Sequence, residues 1–348
     1  MFQRLGIAAV AMTFVLLVTP EVAAATRPAD TTGAAGTDTA PGTAPDTAAA
    51  QAQRAAAPPV LDVAHRGGSA YAPENTLAAI DAAHEHEATA VEIDVQRSKD
   101  DELVVVHDTT LARTTDVEQV FPNRSPYNVA DFTLAELRRL DAGSWFGSEF
   151  AGERVPTLQE ALDRLDEHKA GLFLEIKSPA LYPGIEDDIA QTLKADPGWV
   201  AGNRAGGQRL VIQSFDRASA ERSHELLPSV PHGILGRVAE SEIAAYAEWA
   251  DMINPNHTGI DAAYVERVHD AGMDVVAYTI NEPDDMRAAI GKGVDGIISD
   301  YPDVARQVIQ EETGLPPGGS GARPFTADAL ADLTGIAGIA DTVALPRF

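Results

Sequence analysis

Short apolar runs alternate with amphipathic stretches between about residue 60 and residue 312 of this 348-residue chain. Consecutive apolar positions, such as Val275-Val276-Ala277, are typical of strands that are covered on both faces of a sheet. The stretches between these runs, such as residues 262–271, have the length and periodicity of helices. The pattern therefore predicts βαβ units with a parallel sheet. The predicted strands are residues 60–65, 90–96, 171–176, 209–214, 233–236, 251–254, 273–279 and 296–299.

The number of predicted strands favours one fold class. Eight strands within roughly 250 residues match the size of a (β/α)8 TIM barrel. A doubly wound open sheet also alternates strands and helices, and the pattern alone leaves it open as an alternative. We expect the barrel to occupy residues 60–312.

A further apolar run, residues 103–107, departs from the alternation. It follows the second predicted strand after only a few polar residues, and that gap is too short for a parallel crossover. The two runs are therefore predicted to form an antiparallel hairpin that turns at residues 100–101.

The register of this hairpin is a specific prediction. With Lys99 facing Glu102, Asp94 lies directly opposite His107, and opposed residues share a face of the ribbon. Glu92 lies on the same face because it precedes Asp94 by two residues. A slip of one residue would turn His107 away from both carboxylates.

Residues 109–156 form a long, mixed segment between the hairpin and the third barrel strand. Long ordered loops in a compact domain are usually functional, so we interpret this segment as an insertion over the mouth of the barrel. An accessory subdomain that only adds stability is the alternative. Aromatic residues of the segment include Phe121, Tyr127, Trp145, Phe146 and Phe150.

Both ends of the chain differ in composition from the rest. Residues 1–25 combine Arg4, an apolar run and small residues at 22–25, which is typical of a cleaved signal peptide. The apolar run is short for a membrane span, which needs about 20 residues, so we expect a secreted protein without a stable membrane anchor. Residues 26–59 are rich in Ala, Thr and Pro and are predicted to be a disordered linker. Residues 313–348 are a Gly/Pro linker and a tail of unknown role.

Charge and composition exclude several functions. The chain has 26 basic and 53 acidic residues, a formal net charge of −27, which would repel a phosphate backbone. Nucleic acid is therefore not an expected partner, and any phosphate site must be a local exception. The chain has no cysteine, which excludes disulfides, thiolate catalysis and thiolate metal sites.

Three carboxylates lie on predicted strands, toward the carboxyl ends where barrel enzymes place their active sites. If Glu92, Asp94 and Glu175 converge, each pair of charges about 4 Å apart repels by roughly 4 kcal/mol at an effective dielectric of 20. A cation with a preference for oxygen ligands, Ca²⁺ or Mg²⁺, would relieve this repulsion. The alternative is that these carboxylates only pair with Arg66 and Lys177 in a structural network.

Two histidines and two basic residues stand beside these carboxylates at the ends of predicted strands. His65 and His107 are candidates for general acid and general base, because imidazole titrates near neutral pH. Arg66 and Lys177 are suited to hold a phosphate, the first as a bidentate fork and the second as a point charge.

Taken together, these residues resemble the glycerophosphodiester phosphodiesterase family, in its secreted bacterial form. The resemblance covers essentially residues 60–308, and its motifs keep their order along the chain. These motifs are His65-Arg66-Gly67, Ala72-Pro73-Glu74-Asn75-Thr76, Glu92-Ile93-Asp94-Val95, Val105-Val106-His107-Asp108, Leu140-Asp141-Ala142-Gly143-Ser144-Trp145-Phe146, Val155-Pro156-Thr157-Leu158, Glu175-Ile176-Lys177, Ser214-Phe215 and Asp295-Gly296-Ile297-Ile298-Ser299-Asp300.

The resemblance implies a TIM barrel with a small insertion after the second strand. It implies that one divalent cation is bound by Glu92, Asp94 and Glu175, and we favour Ca²⁺ over Mg²⁺ because Ca²⁺ is abundant outside cells. It further implies that His65 and His107 are catalytic and that Arg66 and Lys177 contact phosphate. Weaker candidates from the same motifs are Glu74, Asn75, Phe215 and Tyr278.

The sequence qualifies three of these weaker candidates. Glu74 and Asn75 are equally consistent with capping a helix that begins at Thr76. Tyr278 stands where many relatives have Trp, before the Thr279-Ile280-Asn281 motif, which could alter how substrate packs.

The resemblance implies hydrolysis of a small glycerophosphodiester to glycerol 3-phosphate and an alcohol. In the family the nucleophile is thought to be the glycerol hydroxyl of the substrate, which gives a cyclic phosphate that water then opens. The alternatives are a related barrel phospholipase, of the sphingomyelinase D or phosphatidylinositol-specific phospholipase C type, and a non-catalytic surface-binding barrel. The sequence leaves the alcohol and the oligomeric state open.

Overall fold

The structure, a computed structural model, describes residues 60–200 and 209–314. The predicted signal peptide (residues 1–25), the linker (26–59) and nearly all of the tail (313–348) lie outside the described residues, so these assignments stay predictions. Within the two described ranges, no helix has both the length and the apolar character that a membrane span requires.

In the described part of the chain, eight parallel strands close into a barrel, and a ninth strand pairs antiparallel with the second. The barrel order is β1-β9-β8-β7-β6-β5-β4-β2, and β1 pairs with both β9 and β2, which closes the sheet and excludes the open-sheet alternative. The strands are β1 (Leu61–Ala64), β2 (Ala90–Arg97), β3 (Leu103–Val105), β4 (Gly171–Ile176), β5 (Leu210–Ser214), β6 (His232–Leu235), β7 (Met252–Asn254), β8 (Asp274–Ala277) and β9 (Gly296–Ser299). The predicted (β/α)8 TIM barrel is confirmed.

Helices follow the strands and cover the outside of the barrel. The helices are α1 (Leu77–Glu85), α2 (Val117–Val120), α3 (Leu134–Leu137), α4 (Leu158–His168), α5 (Ile185–Ala195), α6 (Pro197–Val200), α7 (Arg217–Leu226), α8 (Ile243–Tyr246), α9 (Ala262–Asp270), α10 (Pro283–Lys292) and α11 (Pro302–Thr313). Their apolar faces and the outward faces of the strands form two buried clusters, one on each side of the barrel.

An apolar layer fills the inside of the barrel and sets the position of the site. This layer is Val63, Ala90, Phe173, Val211, Met252, Val276 and Ile298. Because strand side chains alternate with a period of two, the residue two positions further along each strand also faces the inside. These next positions are polar or aromatic, and they are His65, Glu92, Glu175, Gln213, Asn254, Tyr278 and Asp300.

The segment between β3 and β4 has an apolar core of its own. Its short helices α2 and α3 pack with β3 around a cluster whose largest members include Phe132, Leu137 and Leu140, all fully buried. The segment is therefore a folded unit attached to the hairpin at the carboxyl end of the barrel strands.

The predicted hairpin is confirmed, but its predicted register is wrong by one residue. Val95 pairs with Val105, and Ser98 N donates to Glu102 O, so three residues form the loop instead of two. The loop accommodates the additional residue because Asp101 adopts a left-handed conformation with φ of 65°, which Asp tolerates. Asp94 consequently lies opposite Val106 and not His107.

His232, the first residue of β6, is a fully buried imidazole at the amino end of the barrel strands. Its Nδ1 lies 2.7 Å from Val230 O, which can only accept, so Nδ1 carries the proton and Nε2 accepts from Ser223 Oγ at 3.0 Å. Burial lowers the pKa of His232 from 6.5 to about 4. The folded protein therefore favours the neutral ring.

We expect His232 to make the fold sensitive to acid. The unfolded chain takes up a proton near pH 6.5 and the folded chain only near pH 4, so the stabilisation present above pH 6.5 is lost as pH falls between these values. The loss is on the order of 3 kcal/mol. Urea unfolding of wild type and His232→Gln at pH 7 and pH 4.5 measures it, and the variant should lose less stability between the two pH values.

His269 provides a control of opposite sign. Its hydrogen bond to Asp295 raises the pKa of His269, so its contribution is present below pH 6.5 and lost as pH rises. His269→Gln should therefore lower the free energy of unfolding more at pH 4.5 than at pH 7. An unchanged pH dependence in His232→Gln would contradict the role given to His232.

Candidate active site

Three buried carboxylates meet at the carboxyl end of the barrel. Glu92 and Asp94 come from β2 and Glu175 from β4, and the parallel register places Asp94 beside Glu175. One oxygen from each of the three lies within 4.8 Å of the other two. The side chains are almost fully buried, so they repel each other with little screening by water.

Burial and mutual repulsion separate the protonation behaviour of the three groups. Burial, followed by the charges of Asp94 and Glu175, raises the pKa of Glu92 well above its usual value. Burial and the charge of Asp94 raise the pKa of Glu175 to about 8. For Asp94, burial is outweighed by Lys177, His107 and Arg66, which hold its pKa at about 2. Asp94 is thus the fixed negative charge of the cluster.

Two cations pair with these carboxylates, as the alternative of a structural network predicts. Lys177 Nζ lies 2.7 Å from Glu175 Oε1 and 3.2 Å from Asp94 Oδ1. Arg66 donates its backbone N–H to Glu92 Oε2 at 2.9 Å, and its Nε lies 3.6 Å from Asp94 Oδ2. Two cations facing three carboxylates leave one charge to be met by a proton or by a metal ion. A divalent cation with oxygen ligands fits this donor set.

The backbone after β1 is strained where it enters the site. Arg66 and Gly67 are both left-handed, with φ of 52° and 86°, and Arg66 has a side chain that disfavours this region. A Cβ at Gly67 would lie 2.6 Å from Ala79 of α1, so only glycine permits this packing. The turn directs the backbone N–H of Arg66 at Glu92, and strain of this kind is common at functional sites.

His65 is oriented by a carboxylate from the last strand. Its Nδ1 lies 2.6 Å from Asp300 Oδ1, while Ser69 Oγ and Asn281 Nδ2 donate to the same carboxylate. Although burial opposes ionisation, these contacts, beginning with His65, hold the pKa of Asp300 at about 2. An ionised carboxylate can only accept, so Nδ1 of His65 carries the proton and Nε2 is left to face the pocket.

His107 has a matching arrangement with the next residue in the sequence. Its Nδ1 lies 2.8 Å from Asp108 Oδ1, and hydrogen bonds from Arg113 are the main cause that holds the pKa of Asp108 at about 2. Burial, together with Arg66 and Lys177, lowers the pKa of His107 despite the opposing charge of Asp94. His107 is therefore neutral at neutral pH and able to accept a proton.

His107 reaches the pocket despite the different register because β3 ends at Val105 and the chain bends there. Gln96, fully buried on β2, holds the bend: its Nε2 lies 2.8, 3.1 and 2.8 Å from the carbonyl oxygens of Val106, His107 and Asp108. Tyr182 in turn donates to Gln96 Oε1 at 2.8 Å.

Arg113, from the segment that follows the hairpin, links the two sides of the site. Its Nη1 and Nη2 each lie 2.7 Å from a Glu74 oxygen, and its Nε lies 2.6 Å from Asp108 Oδ2. Glu74 also accepts from Arg66 Nη1 at 2.9 Å. One guanidinium thus joins the carboxylate that orients His107 to the carboxylate that holds Arg66.

Neither Glu74 nor Asn75 caps α1, which corrects that alternative. Thr76 is the N-cap, because its own side chain accepts from Ala79 N. Asn75 instead donates to Asp94 Oδ2 at 2.8 Å and accepts from Asp94 N. Asn75 therefore belongs to the site through Asp94, and Glu74 belongs to it through Arg66 and Arg113.

The other side of the pocket is apolar. Phe215 and Tyr278 meet edge to face with ring centroids 5.8 Å apart, and Leu235 and Ile298 complete this wall. The enclosed space is about 150 Å³ and is lined opposite by His65, Arg66, Glu92, His107, Glu175 and Lys177. The pocket can therefore hold a small molecule that is anionic on one side and carbon-rich on the other.

The structure brings every sequence-predicted site residue to this mouth, and it adds four that sequence reasoning missed. Asp108 and Asp300 lay within the quoted motifs, so their position beside a histidine and at a strand end was an available signal. Gln96 and Arg113 gave no comparable signal, because their roles depend on contacts formed only in the fold.

Comparison with known proteins agrees with this geometry. Residues 65–304 match the model of the glycerophosphoryl diester phosphodiesterase family. A glycerophosphodiester phosphodiesterase of Caldanaerobacter subterraneus is 36% identical over 72% of this chain and 98% of its own length. A Bacillus subtilis enzyme of the same name is 34% identical over 72% of this chain and 86% of its own length.

A solved structure of an Oleispira antarctica phosphodiesterase, in complex with its product sn-glycerol-3-phosphate, is similar in fold and in sequence. It superposes with a TM-score of 0.61 at 31% identity and covers 71% of this chain and 96% of its own length. The family match spans well over half of the chain, and the relatives are covered nearly completely. The chain belongs to the glycerophosphoryl diester phosphodiesterase family.

Proposed function

We propose that this enzyme hydrolyses glycerophosphodiesters to glycerol 3-phosphate and an alcohol, with His107 as general base and His65 as general acid. The observation that carries the proposal is the pair of imidazoles, each fixed at Nδ1 by an ionised aspartate, beside one pocket with half-buried cations and buried carboxylates. The product bound to the Oleispira antarctica relative supports glycerol 3-phosphate as the retained product.

Glu92, Asp94 and Glu175 would hold one divalent cation, which supplies positive charge to a phosphate when it is bound. Oxygen ligands alone suit Ca²⁺ and Mg²⁺, and we favour Ca²⁺ because the predicted signal peptide directs the chain to a calcium-rich exterior. The raised pKa of Glu175 and of Glu92 supports this role, because both carboxylates gain from a nearby positive charge.

Arg66 and Lys177 would bind the phosphate oxygens. Arg66 lines the pocket, and its charge is held there by Glu74, which accepts from Nη1 at 2.9 Å, and by Asp94, whose Oδ2 lies 3.6 Å from Nε. Lys177 is half-buried and held in its charged form, because Asp94 and Glu175 raise its pKa against the effect of burial. These charges would stabilise the negative charge that develops in the transition state.

The reaction would proceed in two balanced steps. His107 Nε2 removes the proton of the substrate's glycerol hydroxyl as its oxygen bonds to phosphorus. His65, which must enter this step with a proton on Nε2 as well as on Nδ1, gives its Nε2 proton to the departing alcohol oxygen as the bond of that oxygen to phosphorus breaks. The cyclic phosphate is then opened by water, with the two histidines exchanging roles. The edge-to-face Phe215 and Tyr278 would contact the carbon skeleton of glycerol.

Two other functions remain as alternatives to test. A phospholipase of the sphingomyelinase D or phosphatidylinositol-specific phospholipase C type would release head groups from liposomes and leave soluble deacylated diesters intact. A non-catalytic surface-binding barrel would turn over no phosphodiester. Both alternatives are therefore separated from the proposal by one comparison of soluble and membrane-bound substrates.

Replacing either catalytic histidine should remove turnover without unfolding the protein. We expect His65→Ala and His107→Ala each to lower kcat by roughly 10²–10⁴-fold, which is the usual contribution of a positioned acid or base. The measurement is release of glycerol 3-phosphate from glycerophosphocholine, with thermal unfolding of each variant recorded in parallel.

The matched control is His84→Ala, since His84 is an exposed histidine of α1 that does not line the pocket. It should keep the wild-type kcat. Near-normal turnover in His65→Ala or His107→Ala would reject the role of that residue.

Removing Arg113 should slow the reaction by loosening both sides of the site. We expect Arg113→Met to lower kcat by about tenfold or more, because small losses of alignment are costly. Arg113→Lys should restore little, since one ammonium cannot pair with two carboxylates as the guanidinium fork does. Steady-state kinetics on glycerophosphocholine and the melting temperature of each variant test this expectation.

Arg287→Met is the control for loss of an arginine ion-pair network. Arg287 pairs with Asp284 and Glu311 on the outer helices, away from the barrel mouth. It should leave kcat unchanged. Equal kinetics for Arg113→Met and Arg287→Met would show that Arg113 has no positioning role.

A further inference from the structure

We infer that the leaving alcohol lies in an apolar groove beside the catalytic pocket, and that the enzyme favours leaving alcohols with an uncharged apolar body. This side groove is lined by residues 175–181 and 214–216, in the loops after β4 and β5, and encloses about 440 Å³. The inference rests on the proposed function and specifies its substrate class.

The side groove is continuous with the catalytic pocket. Glu175, Lys177 and Phe215 line both spaces. The catalytic pocket is the smaller space and carries the histidines, which suits the glycerol phosphate that every substrate shares. The attacking and departing oxygens stand roughly in line at phosphorus, so the leaving alcohol must extend away from the glycerol. The side groove offers space for it next to Lys177.

The walls of the side groove expose unusual apolar area. Leu181, in a short 3-10 turn after β4, is 56% exposed and Phe215 is 53% exposed. Only four large apolar side chains are exposed among the residues that the structure describes, and these two belong to the groove. Pro179 and Ala180 extend the same wall. Clustered exposed apolar side chains are typical of binding sites.

Two of the polar side chains in the side groove, Ser214 and Asp216, already have partners within the protein. Ser214 Oγ donates to Ile176 O at 2.9 Å and accepts from Asp216 N at 3.1 Å. Asp216 Oδ1 accepts from Ser219 N and caps α7. A polyol such as inositol would lose several hydrogen bonds to water here and find few groups to replace them, which is unfavourable.

A cationic leaving group gains no net electrostatic advantage in the side groove, because the lining carries charges of both signs: Lys177 and the carboxylates of Glu175 and Asp216. Glu175 is already paired with Lys177, whose Nζ lies 2.7 Å from its Oε1. Lys177 Nζ also lies 5.8 Å from the centroid of the Phe215 ring, so a trimethylammonium group on this ring would gain a cation–π contact but would lie close to a like charge. An aliphatic or aromatic alcohol gains from the exposed apolar walls without depending on these charges.

A series of leaving groups tests the inference. The substrates are glycerophosphodiesters of ethanol, propanol, butanol and hexanol, whose leaving oxygens have similar acidity, so that the chemical step is matched. We expect kcat/KM to rise by about two- to fourfold for each added methylene, the gain from burying one CH₂. The hexyl ester should also exceed glycerophosphocholine and glycerophosphoinositol.

Two variants locate the effect. Leu181→Asn changes an exposed groove wall and should flatten the dependence on chain length while leaving the ethyl ester unaffected. Trp145→Gln changes an exposed aromatic side chain outside the side groove and should keep the wild-type slope. Melting temperatures of both variants confirm folding.

The outcomes distinguish failure of the proposed function from failure of the inference about the leaving alcohol. No glycerol 3-phosphate from any ester would reject the proposed function itself. Turnover of the ethyl ester with no gain for longer chains would overturn the inference alone, as would a slope that Leu181→Asn leaves unchanged. A choline or inositol ester that is preferred over the hexyl ester would likewise overturn it.

Discussion

Three carboxylates buried at one end of a barrel are the constraint on which the rest of the site depends. Glu92, Asp94 and Glu175 lie too close together to be ionised at once without compensation, and water is too distant to screen them. Lys177 and the strained turn at Arg66 supply part of that compensation. The remaining positive charge must come from protons or from a bound cation. Because the carboxylates repel one another, a cation that binds between them relieves this repulsion, and the relief favours its binding.

Two further aspartates at the carboxyl ends of the strands have a different role, which is to orient the two histidines. Asp300 and Asp108 are ionised and directed at the Nδ1 atoms of His65 and His107. Arg113 then ties Asp108 to Glu74, so the segment after the hairpin is coupled to the side of the pocket that carries Arg66. The insertion therefore does more than add an apolar core, because its first arginine binds the carboxylate that orients His107.

Sequence periodicity predicted the alternating strands and helices, since buried strands and amphipathic helices leave strong local patterns. It left the open sheet as an alternative, which the family resemblance disfavoured and the pairing of β1 with β2 excludes. The strand-end positions of Glu92, Asp94, Glu175 and His65 followed from the same periodicity. The hairpin register was wrong because the loop length depends on the left-handed conformation of Asp101, which competes closely with a tighter turn. Gln96 and Arg113 could not be found from sequence, since each acts through partners that are distant along the chain or lie on another element.

Calorimetric titration of the metal-free protein tests the central claim directly, because it measures the cation site without requiring turnover. One Ca²⁺ should bind per chain, more tightly than Mg²⁺, with protons released near pH 7 as Glu92 and Glu175 ionise. Asp94→Asn should weaken binding by at least about tenfold, since it removes the fixed charge of the cluster. Absence of binding heat, or equal affinity in Asp94→Asn, would contradict a cation site built from these three carboxylates.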